Sequence, residues 1–196
     1  MSNLNRICVY CGSNSGASAG YATAAVKLAQ EIVKHNIELV YGGASVGLMG
    51  VLANTMLDLG GTVIGVIPKS IVEKEVAHDN LSQLIQVDSM HERKSTMESL
   101  ADGFIAMPGG FGTIEEMFEM LTWAQLGFHK KPCGLLNTEN FFASLVVFLK
   151  HAEDQQFVKP AHRAMLLMEA EPDRLLQKML EYEPIVETKW IGRDAT

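Results

Sequence analysis

The residues best suited to chemistry lie in one short stretch, Pro108-Gly109-Gly110-Phe111-Gly112-Thr113-Ile114-Glu115-Glu116. Closely spaced glycines let the backbone turn tightly and approach a ligand without interference from Cβ atoms. A helix opening here presents amides that have no intrahelical acceptor, and its dipole favours an anion. Thr113 adds a hydroxyl donor. In physical terms this is a phosphate cradle. It lacks the Gly-Lys-Ser/Thr ending of a P-loop, which argues against an ATPase. A Gly-Gly pair can also serve only to turn a strand into a helix, and the loop alone fits both readings.

Two neighbouring features favour the cradle. Glu115, Glu116 and Glu119 follow in the expected first two helical turns, where a dipole favours carboxylates. Ordinary charge complementation accounts for Glu119, but Glu116 lies three residues after Thr113, so one helical face can present both to a ligand. Upstream, Met90-His91-Glu92-Arg93-Lys94 puts two cations at the expected start of a helix, where they oppose the dipole unless an anion is bound. The competing reading is a solvated pair balanced by Glu92 and Glu98.

The remaining candidates are weaker. Gly42-Gly43-Ala44-Ser45-Val46-Gly47-Leu48-Met49-Gly50 also opens a helix, but it departs from the dinucleotide glycine fingerprint, and no acidic residue is placed for a ribose diol. NAD is therefore not expected. The six histidines show no metal-ligand spacing, so no metal is expected; His91 alone is placed to approach the site. Cys8-Val9-Tyr10-Cys11 has redox spacing but lies in a strand-like run, which turns its two thiols to opposite faces. Both are expected to be packing residues.

These loops need a frame that brings them to one edge. Short apolar runs at Ile7-Tyr10, Glu38-Tyr41, Thr62-Ile67, Leu84-Val87, Phe104-Met107 and Cys133-Leu136 alternate with helical stretches at Tyr21-His35, Leu48-Leu59, Glu92-Ala101, Thr113-Leu126 and Phe141-Asp154. Near-continuous apolar runs suit strands buried on both faces. Their alternation with helices predicts a single Rossmann-like α/β domain: a doubly wound parallel sheet with helices on both faces. Ligands of such sheets bind beyond the carboxyl ends of the strands, the edge to which Gly12-Ser13-Asn14-Ser15-Gly16 and the loops above belong. Pro160 to Tyr182 reads as further helix, with Pro160 and Pro172 in first turns. The domain is expected over 1–182, with a surface tail over 183–196.

The chain of 196 residues is 47% hydrophobic and carries a formal net charge of −7. That size supports a full core. The acidic balance suits a mononucleotide held by a local donor cluster and disfavours a nucleic-acid polymer. No run approaches the roughly 20 apolar residues that cross a bilayer, and the first residues do not resemble a signal peptide. A cytoplasmic protein without membrane partners is expected.

Taken together, these motifs resemble those of the LONELY GUY family, the cytokinin riboside 5′-monophosphate phosphoribohydrolases. The family's Pro-Gly-Gly-x-Gly-Thr-x-x-Glu signature is Pro108 to Glu116, and its Met-His-x-Arg-Lys element is Met90 to Lys94. Tyr41-Gly42-Gly43, Gly47-Leu48-Met49-Gly50 and Thr122-Trp123-Ala124-Gln125-Leu126-Gly127 also match, whereas Ala44 stands where the family often has a third glycine. The resemblance implies hydrolysis of the N-glycosidic bond of adenosine 5′-monophosphate or an N6-substituted form, without a cofactor, by a homodimer. It implies catalytic roles for Arg93 and Glu116 and substrate contacts at Glu75, Lys94, Gly110, Phe111, Gly112, Thr113, Ile114, Glu115 and Thr122. Ser13, Gly43, Met90 and Gly109 join the candidate contacts from the loops on the same edge. Members are often labelled lysine decarboxylases, a pyridoxal-phosphate chemistry for which this chain offers no marked Schiff-base lysine. A nucleotide sensor without turnover is the other alternative.

Overall fold

The computed structural model describes residues 4–72 and 77–185. The expected contact Glu75 and most of the expected tail, 186–196, lie outside them. Among the described residues seven strands form one sheet: β1 (Arg6–Tyr10), β2 (Glu38–Tyr41), β3 (Val63–Pro68), β4 (Gln83–Val87), β5 (Gly103–Ala106), β6 (Cys133–Leu136) and β7 (Leu166–Glu169). Their order is β4-β3-β2-β1-β5-β6-β7, and every pairing is parallel. The helices are α1 (Ala19–Lys34), α2 (Gly47–Asp58), α3 (Met90–Leu100), α4 (Phe111–Leu126), α5 (Ala143–Asp154), α6 (Pro160–Ala164) and α7 (Pro172–Leu180).

The alternation of side chains along β1 shows why the sheet is covered twice. Ile7 and Val9 join one buried cluster with Leu28 of α1, Leu52 of α2 and Leu176 of α7. Cys8 and Tyr10 join another with Met97 of α3, Met117 of α4 and Phe142. Period-two alternation thus feeds two cores from one strand. Cys8 and Cys11 fall in opposite clusters, as the strand reading requires, and both are free and buried. Burial pushes both thiols well up, which suits inert packing residues.

The order of the strands locates the site. The chain runs outward from β1 to β4, then returns to lay β5 against the other side of β1. Loops leaving β1 and β5 therefore diverge to opposite faces, and a crevice opens between them.

One expectation is corrected. The stretch from Pro160 to Tyr182 is not continuous helix, because β7 interrupts it and pairs with β6 from Cys133↔Leu166 to Leu136↔Glu169. Leu166-Leu167-Met168-Glu169 has no β-branched residue and favours helix by local propensity. It lies at the sheet edge, half-buried throughout, and the open backbone edge of β6 decides its conformation. Pro160 and Pro172 do open helices, α6 and α7.

Candidate active site

Arg93 and Glu116 come from different helices and meet in the crevice. Ser89 caps α3, its Oγ accepting the Glu92 N–H at 3.1 Å, so the helix opens at Met90 rather than at Glu92. Arg93 thereby lies a full turn inside and reaches back over the sheet. Its Nε donates to the Val66 carbonyl of β3 at 3.1 Å, and its Nη1 stands 3.5 Å from Glu116 Oε1. The two side chains are 9% and 11% exposed. Gly42, just past β2, makes room for the guanidinium: a Cβ there would overlap Arg93 Nη2 and press on the Met49 sulfur.

The opposite wall is the amino end of α4, which opens at Phe111 on the N-cap Gly110. Glu115 and Glu116 consequently stand in the second turn, not the first. The first turn holds no carboxylate and no side chain caps it, so the positive end of the dipole faces the crevice unneutralised by its own helix. Thr113 is buried over Gly109, where a Cβ would overlap its hydroxyl. The Gly12 N–H donates to the Pro108 carbonyl at 3.1 Å and locks the β1 and β5 loops together.

These residues enclose a cleft of about 310 Å³. Of the expected contacts, Ser13, Met90, Arg93, Gly110, Phe111, Gly112, Thr113, Glu115 and Glu116 line it. Gly109 borders an adjoining cleft that shares Gly12, Ser13 and Gly110. Phe111, 97% exposed at the mouth, is an aromatic ring with no folding reason to stand in water.

Other expected residues lie elsewhere. Gly43, at φ +80°, packs towards Ile67 and Leu84. Ile114 packs against the core beneath α4, and His91 is exposed. Thr122 bonds back to the Phe118 carbonyl at 2.7 Å and borders a separate groove between α4, α5 and α6. Lys94 does not line the cleft. Its Nζ is held by Glu115 Oε1 at 2.7 Å and Glu119 Oε1 at 3.0 Å, a brace from α3 to α4. The hydrogen bond to Glu115 raises its pKa against the burial that alone would lower it.

The cleft also has walls that carry no polar signature in the sequence: Val9, Tyr10, Cys11, Gly12, Gly42 and Met49. Tyr10 stacks on Phe104, and burial holds its phenol well above the usual range, with further help from Cys8 and Glu116. It therefore stays protonated. These positions end β1 or follow β1 and β2, and the order of the strands is the signal that finds them.

Among the described residues no group of three or more His, Cys, Asp and Glu could hold a metal ion, and no helix is long and apolar enough to cross a membrane.

The family model described as possible lysine decarboxylase matches residues 49–179. The chain is 46% identical to cytokinin riboside 5′-monophosphate phosphoribohydrolase LOG2 of Arabidopsis thaliana over 183 residues, 93% of this chain and 86% of that one. It is 45% identical to the LOG enzyme of the same name from Oryza sativa subsp. japonica over 193 residues, 98% and 80% of the two chains. Among solved structures, the molybdenum cofactor binding protein from Rippkaea orientalis superposes with a TM-score of 0.68 at 20% identity, over 92% of this chain and 98% of that one. The molybdenum cofactor carrier protein of Chlamydomonas reinhardtii gives a TM-score of 0.68 at 20% identity, over 92% and 100%. At that identity the likeness is one of fold. With its sequence relatives matched along nearly its whole length, the chain belongs to the LONELY GUY family of cytokinin riboside 5′-monophosphate phosphoribohydrolases.

Proposed function

We propose that this protein hydrolyses the N-glycosidic bond of adenosine 5′-monophosphate or its N6-substituted forms, releasing the free base and ribose 5-phosphate. The observation that carries this reading is the buried Arg93–Glu116 pair beside the uncapped amino end of α4 in one cleft. In the reaction the ribosyl C1′–N bond breaks and its electron pair leaves with the base. Water adds its oxygen to C1′, and the proton balance is completed on the base. Positive charge develops on the sugar on the way, in an oxocarbenium-like transition state. Glu116 stabilises that charge and positions the water; Arg93, 3.5 Å from the carboxylate, keeps it aimed. The first amides of α4 and Thr113 hold the 5′-phosphate, so binding energy far from the scissile bond orients it.

A sensor without turnover needs the phosphate cradle but gains nothing from a buried carboxylate beside it. The decarboxylase label fits the residues poorly. A Schiff-base lysine must give up its proton, whereas Lys94 is clamped by two carboxylates that favour its charged form. Three buried free cysteines suit a reducing compartment, in keeping with a cytoplasmic enzyme. The working unit we propose is a homodimer.

The test is incubation of the purified protein with AMP, isopentenyl-AMP, GMP and CMP, with chromatographic detection of free base. Release from the adenine nucleotides is expected; tight binding with no base released from any nucleotide would favour the sensor. The geometry adds a second expectation. Gly42→Ala pushes a methyl group into the Arg93 guanidinium, so turnover should fall roughly ten- to a hundredfold through misplacement. Circular dichroism should stay that of the parent. Parental turnover in Gly42→Ala would mean that the placement of Arg93 does not matter to the reaction.

A further inference from the structure

The helix α4 carries a third carboxylate, Glu119, that lines neither the cleft nor the groove between α4, α5 and α6. It stands in the third turn of a helix that opens at Phe111, too far along to answer the dipole, whose effect fades within the first turn. Charge complementation, the expectation from sequence, therefore does not explain it. Its side chain is 24% exposed, and its Oε2 is buried without a hydrogen-bond partner among the described residues. A carboxylate oxygen withdrawn from water and left unpaired is costly, and in a native fold it calls for a reason.

The other oxygen supplies one. Lys94 Nζ donates to Glu119 Oε1 at 3.0 Å and to Glu115 Oε1 at 2.7 Å. Lys94 is 13% exposed, a burial that lysines reach only when paired. Glu115 is 55% exposed, so the arm through Glu119 is the better shielded from water and salt. The clamp also runs parallel to the reactive pair. Arg93 and Lys94 are consecutive on α3, Glu115 and Glu116 on α4, and two rungs cross the same gap. The outer rung, Lys94–Glu115, is closed at 2.7 Å, and the inner one, Arg93–Glu116, stands at 3.5 Å. Arg93 is tied by its Nε to the Val66 carbonyl of β3, so its guanidinium cannot follow a shift of α4. Deeper in the fold, Met97 of α3 shares a cluster with Met117 and Met120 of α4. That packing is non-directional and does not fix a distance at the crevice.

We infer that Glu119 is a positioning residue: it anchors Lys94 on α4, and the braced Lys94 sets the separation of Arg93 and Glu116. The inference rests on the hydrolase reading above and adds to it a residue that stays clear of the cleft. Without the Glu119 arm, Lys94 follows Glu115 towards solvent. The span from α3 to α4 is then no longer held, and Glu116 loses its aim at C1′.

Turnover and calorimetric binding of AMP test it. Glu119→Met keeps the length of the side chain but removes the acceptor. It should lower kcat roughly tenfold through misplacement, with parental circular dichroism and an AMP dissociation constant within about twofold of the parent's. Glu119→Gln keeps a carbonyl acceptor for Lys94 and should recover kcat to within about threefold. The double variant Lys94→Met/Glu119→Met should be little slower than the slower single variant, as for two members of one brace. Losses that multiply would overturn the brace. So would parental kcat in Glu119→Met, or weakened AMP binding with kcat unchanged. The Arg93 Nε–H resonance, followed by NMR without nucleotide, should move in Glu119→Met and return in Glu119→Gln. That signal separates two failures. A parent protein that releases no base while its Arg93 signal answers to Glu119 would overturn the hydrolase and leave the brace. An active parent whose signal ignores Glu119 would overturn the brace alone.

Discussion

Replacing Glu116 with glutamine should lower the kcat of AMP cleavage by about a hundred- to a thousandfold, the usual effect of removing a group that stabilises developing charge. Glutamine keeps the shape, so Met117 and Thr113 beside it should stay packed. The sign of the binding effect is the more telling part. A carboxylate in a phosphate site repels the ground-state nucleotide. Removing its charge should therefore leave the AMP dissociation constant unchanged or lower it. A residue that merely bound substrate would instead raise KM and leave kcat alone. Single-turnover rates with calorimetric binding of AMP separate the two patterns. A folded Glu116→Gln protein that keeps kcat within about fivefold of the parent would remove Glu116 from the reaction.

That pair of residues shows what could be read from the chain and what could not. Five of the seven strands were legible because burial on both faces demands continuous apolar runs, as in Ile7-Cys8-Val9-Tyr10, and the edge strand β4 was legible from its own apolar run at Leu84-Val87. The seventh was not, because Leu166-Leu167-Met168-Glu169 is an edge segment whose conformation comes from pairing with β6. The glycine loop and Arg93 were legible as chemistry at the carboxyl edge of the sheet. Their meeting at 3.5 Å was not, since it depends on where the two helices begin. Ser89 and Gly110 start α3 and α4 each two residues earlier than the apolar pattern suggests, which moves Arg93 and Glu116 into the second turn. Lys94 shows the same dependence. Consecutive helical residues point about 100° apart, so Arg93 turns to the sheet while Lys94 turns to Glu115 and Glu119. Tyr10 looks like a core residue in sequence and Gly42 and Met49 belong to a loop that was only a weaker candidate; the crevice between β1 and β5 makes all three walls of the cleft.

The same geometry makes an unequal prediction for the other partner. Arg93→Ala leaves Glu116 buried without the cation beside it and takes the donor from the Val66 carbonyl. Breaking a buried pair from one side costs about 3–5 kcal/mol, which for a chain of this size is a fall in Tm of roughly 10 °C. Turnover, measured well below that temperature, should drop at least about a hundredfold. Arg93→Lys should recover little of it. An ammonium keeps the charge, but it lacks the planar fork that reaches Val66 and Glu116 together. The double variant Arg93→Ala/Glu116→Gln then decides whether the two act as a unit. With the buried charge of Glu116 gone, it should be more stable than Arg93→Ala alone, and its turnover should be little worse than either single variant, as for residues serving one step. Melting curves and initial rates on the four proteins complete the cycle. Strictly additive losses in both would mean that Arg93 and Glu116 share a cleft without sharing a task.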